Sequence, residues 1–157
     1  MKAISICQPY AHLIVMGRKR VENRQWPTTH RGQLLIHAAK TAHWMPQNLL
    51  GIFPELAGEQ MAFGALVGIA DLIECVRLAE LITPSDRLRR DLYLCGITPE
   101  SYWVMNHRKH VVGPWCWLLG AVERFAEPIP YLGRQSFFRV PDAIFADAVR
   151  LPVDTAA

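Results

Sequence analysis

The sequence predicts a mixed α/β fold of the α+β class, a curved mixed sheet or small barrel with helices packed at its rim. Three observations lead there. Strand-like runs cluster toward both ends of the chain, with short helical stretches interleaved. The long apolar run 64–76 carries Gly64 and Gly68, which let a strand bend as barrel strands do. Gln8-Pro9 stands between the first strand and first helix, where a doubly wound fold would carry a Gly-rich phosphate loop.

Taken in order, residues 2–7 alternate apolar and polar side chains as a strand does, and Gln8-Pro9 ends them. Pro9 suits the first position of a helix over 10–16, and Gly17 suits its end because glycine tolerates positive φ. Strands are expected at 21–26 and 32–39, with a turn at 27–30 between them. A short helix is expected over 41–52 with Thr41 as its N-cap, then a loop and the long strand 64–76. Pro84-Ser85-Asp86 can start a helix ending near Cys95, and Thr98-Pro99-Glu100 another short turn. A strand over 112–125, split by Gly120, should be broken by Pro128 and Pro130, before a last strand at 134–140. Residues 141–149 read as a short amphipathic helix, with a frayed tail after 150. The whole chain, 1–157, reads as one domain with a helical insertion at 77–112.

Apolar residues make up 51% of the 157-residue chain and charged residues 20%, a globular and not a disordered balance. A core of this size requires no disulfide or metal staple. Cys7, Cys75, Cys95 and Cys116 form no C-x-x-C pair, so free and mostly buried thiols in the cytoplasm are expected. Met1 opens directly into a strand-like run, so no secretory segment is expected. The longest apolar tract, 61–76, is interrupted by Asp71 and Glu74 and reads as a strand, not a membrane span.

Charge is informative by its distribution. The net charge is only +3, yet Arg18, Lys19, Arg20, Arg24 and Arg31 face the single acid Glu22 within 18–31. A local balance of +4 on a near-neutral body can focus field toward a phosphate backbone; a solvated surface loop would look the same. In a strand over 21–26, period two puts Glu22, Arg24 and Trp26 on one face. An acid, a guanidinium and an indole beside Lys19 are poor core material and suit base recognition. Trp26 can stack on a base, Arg24 can grip phosphate, and Glu22 can accept from an exocyclic amine such as that of cytosine. The competing reading makes Glu22 and Arg24 a strand-fastening ion pair, with Trp26 half in the core.

Tyr10 can cover the same cleft or serve as a core aromatic with a polar tip. Arg31 reaches either phosphate or water. His37 reads as a buried, hydrogen-bonded barrel histidine, not a catalytic base. Trp103, His107, Arg108, Lys109, His110, Trp115 and Trp117 interleave basic and aromatic side chains, with Trp115 and Trp117 favoured as core. His107 and His110 with Cys75, Cys95 and Cys116 lack zinc-finger spacing, so no metal and no cofactor are expected.

The stretch Gln8-Pro9-Tyr10-Ala11, the segment Gly17-Arg18-Lys19-Arg20-Val21-Glu22-Asn23-Arg24 with Trp26, and the run Arg31-Gly32-Gln33-Leu34-Leu35-Ile36-His37-Ala38 resemble the ASCH domain family of the wider PUA-like fold. Residues 64–72, 113–118 and 128–135 resemble its later strands, so the likeness covers about residues 2–140. It implies a small β-barrel with a cleft where the G-x-K-x-x-E-x-R segment passes, and an association with RNA and other nucleic acids. Some relatives are enzymes on RNA or modified nucleosides, including an acetylcytidine amidohydrolase whose Lys and nucleophilic Thr sit three apart in this segment. Here Lys19 matches, but Glu22 stands at the Thr position, and a carboxylate does not replace that hydroxyl.

Three functions follow from the sequence. The first is a single-stranded RNA-binding or nucleic-acid-binding module using Tyr10, Lys19, Glu22, Arg24, Trp26 and Arg31. The second is an enzyme on the same cleft, a ribonuclease or modified-nucleoside hydrolase, with Lys19 stabilising charge and Glu22 as acid or base. The third is an accessory domain whose cleft takes a nucleotide-like ligand or peptide.

Overall fold

The computed structural model describes residues 1–43, 45–97 and 110–153. Its strands form a seven-stranded sheet that curls into a half-barrel. They are β1 (Lys2–Ile6), β2 (Val21–Arg24), β3 (Gly32–Ala38), β4 (Ala65–Arg77), β5 (Trp115–Pro130), β6 (Phe137–Arg139) and β7 (Arg150–Pro152). The order is β2-β5-β4-β3-β1-β6, with β7 added against β5. Only the β1–β3 pairing is parallel among the described residues. Four helices accompany the strands in the described part: α1 (Tyr10–Val15), α2 (Leu49–Ile52), α3 (Leu78–Ile82) and α4 (Asp86–Leu94). None of the described helices is long and apolar enough to cross a membrane.

The curl comes from the two longest strands. The β4–β5 ladder shifts register between Leu66 and Gly68, between Ala70 and Leu72, and between Leu72 and Glu74. Each extra residue bends the strand and tightens its right-handed twist. Gly68 is needed at one of these bends, because a Cβ there would lie 2.3 Å from the Glu123 carbonyl oxygen. The central strand β3 is buried on both faces. Leu34 and Ile36 join the cluster under α1 with Ile4, Ile6, Ile14 and Trp117, whereas Leu35 joins Ala3, Ile69 and Phe138 behind. That two-sided burial is why Leu34-Leu35-Ile36 is continuously apolar. Between β4 and β5, α3 and α4 pack Leu81, Leu88 and Leu92 against Val21 and Leu118. Ser85 caps α4 by accepting from the Leu88 N–H at 3.3 Å.

Several boundaries differ from the sequence expectation. Only Leu49–Ile52 of the stretch 41–52 is helical, capped by Asn48 and not by Thr41; in a helix begun at Thr41, Pro46 would fall past the first turn with no N–H to donate. The ladder of β2 ends at Arg24, two residues before Trp26, because its partner β5 begins at Trp115. Pro128 and Pro130 do not break β5. Beyond Ala126, whose N–H still bonds the Val149 carbonyl, that strand is paired on the β4 side alone, so the missing N–H groups fall on a free edge. Gly120 likewise leaves β5 whole. The expected helix over 141–149 is a single 3-10 turn at Asp142–Ile144, and Arg150–Pro152 pairs with β5 where fraying was expected. The Thr98-Pro99-Glu100 turn, Trp103, His107, Arg108 and Lys109 lie outside the described residues.

Candidate nucleic-acid interface

The curled sheet brings the outer edge of β2 back beside β1, to which it is not paired. The two strands are bridged by Arg24, whose Nη2 donates to the Ser5 carbonyl at 2.8 Å. In this seam lies a cavity of about 230 Å³ lined by Ser5, Ile6, Cys7, Tyr10, Glu22 and Arg24. Every lining residue comes from three local features: the end of β1, the first residue of α1 and the polar face of β2.

Glu22 is the centre of the charge arrangement. Its Oε2 accepts from Lys19 Nζ at 3.0 Å, and its Oε1 lies 3.1 Å from Arg24 Nε. That second approach is an ion contact without hydrogen-bond alignment, since Arg24 Nε has no aligned acceptor. Lys19 also donates to the Val21 carbonyl and sits 5.7 Å from the Tyr10 ring centroid. Only 2% of Lys19 is exposed. A buried ammonium is tolerable only when paired and hydrogen-bonded, and removing one partner costs about 3–5 kcal/mol. Lys19 therefore braces the carboxylate from beneath and does not line the cavity.

The six site residues expected from the sequence thus divide. Tyr10, Glu22 and Arg24 line one cavity, and Lys19 supports it. Trp26 does not join them: its ring packs edge-on against Trp117 at 4.8 Å and Phe137 at 5.3 Å, half-buried at the rim of the core. Arg31 lies elsewhere, bound to Glu74 and donating to the Thr28 and His30 carbonyls at 3.0 and 2.9 Å. Nor is the 18–31 segment a uniform basic patch. Arg20 is buried, with its Nε donating to the Gly17 carbonyl at 3.0 Å, so Arg18 and Arg31 are the cations of this run that are exposed.

Residues not singled out by the sequence reading also shape the site. Ser5, Ile6 and Cys7 line the cavity as consecutive residues at and just beyond the end of β1, so no period-two pattern marks them. The Cys7 thiol is pushed up by burial, which outweighs the lowering effect of Arg24, so it stands protonated and is a poor nucleophile. On the opposite face of β2, Asn23 clamps the approach to β5. Its Oδ1 accepts from the Val112 and Gly113 N–H groups at 2.9 and 3.0 Å, and its Nδ2 donates to the His110 carbonyl at 2.8 Å. His37 is a satisfied histidine, between Ser5 Oγ at 3.1 Å and the Tyr131 carbonyl at 3.0 Å, with its pKa lowered by burial. Trp117 is core and fully buried, while Trp115 is half-buried beneath the Arg77 guanidinium. All four cysteines are free, and burial raises Cys95 to about 12 and Cys116 to about 11. Among the described residues no group of three or more His, Cys, Asp or Glu could hold a metal ion.

The chain is thus a curled half-barrel, and in its seam Glu22 is braced by Lys19 beside Arg24. The ASCH domain profile matches residues 4–102, and the chain belongs to the ASCH domain family. Over 82 residues it is 42% identical to activating signal cointegrator 1 of Homo sapiens and of Mus musculus. That match covers 46% of this chain and only 14% of the length of those relatives. Among solved structures, ASCH from Zymomonas mobilis superposes with a TM-score of 0.51 at 16% identity, over 94% of this chain and 95% of that one. A point mutant of the same protein matches equally, over 98% of its length. Identity this low speaks for the shared PUA-like fold.

Proposed function

We propose that this domain binds nucleic acid, single-stranded RNA in preference to DNA, by receiving an unpaired base in the seam cavity between β1 and β2. One observation carries the reading: an acceptor and a donor, the Glu22 carboxylate and the Arg24 guanidinium, stand 3.1 Å apart in a cavity lined also by an aromatic ring. A base edge offers donors and acceptors side by side, and its face stacks on an aromatic, so the pair reads the edge while Tyr10 takes the face. Because Lys19 and Arg24 hold the carboxylate before a ligand arrives, little ordering cost falls on binding. Membership of a family associated with nucleic acids supports the same reading.

Titration of labelled single-stranded RNA, duplex RNA and DNA at several salt concentrations tests it. Three or four phosphate contacts give a log–log slope of about −2 to −3 on single strands. Glu22→Gln should alter base preference while leaving that slope unchanged; a flat salt response would remove the polyanion model. The enzymatic reading uses the same Lys19–Glu22 contact. Its check is incubation with RNA and acylated cytidine, with turnover lost in Glu22→Gln.

A further inference from the structure

The register of β1 against β6 places Lys2 directly opposite Arg139. Like charges at directly opposed positions are destabilising, and no carboxylate among the described residues pairs with either side chain. Two positions further along each strand the same face carries Ile4 and Phe137, also opposed. Lys2 Nζ lies 5.3 Å from the Phe137 ring centroid, and Phe137 is only half-buried. The Phe137 ring offsets part of the repulsion for Lys2, whereas Arg139 stands exposed beside it.

Those cations lie beyond the seam cavity, whose lining does not include them; Lys2 is on the strand that forms one of its walls, and Arg139 is on the neighbouring β6. From Arg24 the guanidinium lies 5.8 Å from the Trp117 ring, Trp117 stacks on Phe137 at 5.3 Å, and half-buried Trp26 closes edge-on against both. Lys2 stands three residues before Ser5 on the same strand, about 10 Å away at the usual strand rise. From the aromatic-and-carboxylate pocket, the half-buried rings of Trp26 and Phe137 lie on the way to the doubly cationic rung.

We infer that Lys2 and Arg139, flanked by Phe137 and Trp26, form a second subsite that grips the phosphodiester backbone of a single strand whose base occupies the cavity beside Glu22. This inference rests on the nucleic-acid reading and extends it. The cavity receives one base; the cationic rung receives a phosphate of a neighbouring nucleotide. The rung is out of reach of a mononucleotide seated in the cavity. It also returns a role to Trp26, as an edge beside the path and not as a wall of the pocket.

The test uses Arg139→Glu in the full chain, read in two assays. Against a short single-stranded RNA oligonucleotide, affinity should fall about 5- to 10-fold and the salt slope should shrink by about 0.7, the value of one lost phosphate contact. Binding of nucleoside monophosphates should be unchanged. Thermal melting should hold or rise, because Lys2 then faces an opposite charge. Arg139→Gln gives a neutral control, with the same direction and a smaller drop. Oligonucleotide affinity and slope that both survive Arg139→Glu, in a wild type that binds RNA with a salt-dependent slope, overturn the subsite and leave the cavity reading standing. A wild type with no salt-dependent RNA binding overturns both. Displacement of the RNA by oligoglutamate, which offers carboxylates in place of phosphates, at equal charge concentration would assign the rung to acidic peptides and overturn the nucleic-acid occupant.

Discussion

A larger cavity than the seam pocket lies near the end of β4, about 330 Å³ lined in part by Glu74, Glu80, Asp91 and Arg87, with Thr83 and Ser85. The seam hollow is lined by Glu22 and Arg24 of the basic 18–31 segment, the larger one is linked to that segment only through the Arg31–Glu74 ion pair, and the two use its arginines in opposite ways. At the smaller one, Arg24 in its wall and Lys19 behind it outnumber Glu22 and fix its carboxylate. In the larger one, Glu74 is the centre, and Arg31 and Arg87 are consumed as its partners. Volume would choose the second cavity; charge chooses the first. A polyanion entering the Glu74 hollow meets three carboxylates, whereas along the β1–β2 seam it meets Arg24 and then Lys2 and Arg139.

That contrast can be broken at its strongest point first. Lys19→Ala leaves Glu22 buried without its ammonium, so unfolding free energy should drop by about 3–5 kcal/mol. Melting should fall by roughly 2–4 °C per kcal/mol. A melting temperature within a few degrees of the wild type would show that Lys19 does not brace the carboxylate.

The basic segment shows how far sequence reasoning reaches. Strand and helix positions in the first quarter were legible because β1 and α1 follow simple periods, β3 is a short continuous apolar run, and Gly17 closes α1 with φ of +73°. The Glu22–Arg24 face was legible for the same reason. Period two, however, says nothing of where a ladder stops, so Trp26 was placed on a strand face that ends two residues earlier. Counting charge says nothing of partners far along the chain. Arg31 is held by Glu74, and Arg20 donates to the Gly120 carbonyl at 3.4 Å, 100 residues away. The short helix expected over 141–149 failed similarly, since backbone pairing of Val149 and Val153 with β5 overrode a local amphipathic pattern.

Smaller effects sharpen the comparison. Glu74→Gln should free Arg31 and Arg87 and raise RNA affinity by about 2- to 5-fold, the scale of an exposed ion pair. Fluorescence anisotropy at low salt reads this, and a drop in affinity would mean that the Glu74 hollow itself takes part in binding. His37 gives the smallest effect. Burial lowers its pKa in the folded chain below the ordinary 6.5, so the unfolded chain takes up the proton first as pH falls. The resulting stability is complete above about pH 6.5 and is lost as pH drops through the folded-state value. Denaturant unfolding should therefore weaken below that pH, and His37→Gln should flatten this part of the profile; an unchanged profile would show that His37 does not couple to folding.

The most direct measurement is a crystal structure of the chain soaked with a mixed-sequence RNA trinucleotide. The account predicts one base between Tyr10 and the Glu22–Arg24 pair, with the adjoining backbone leading toward Lys2 and Arg139. A nucleotide seated against Glu74, or one that leaves the Glu22 carboxylate untouched, would contradict it.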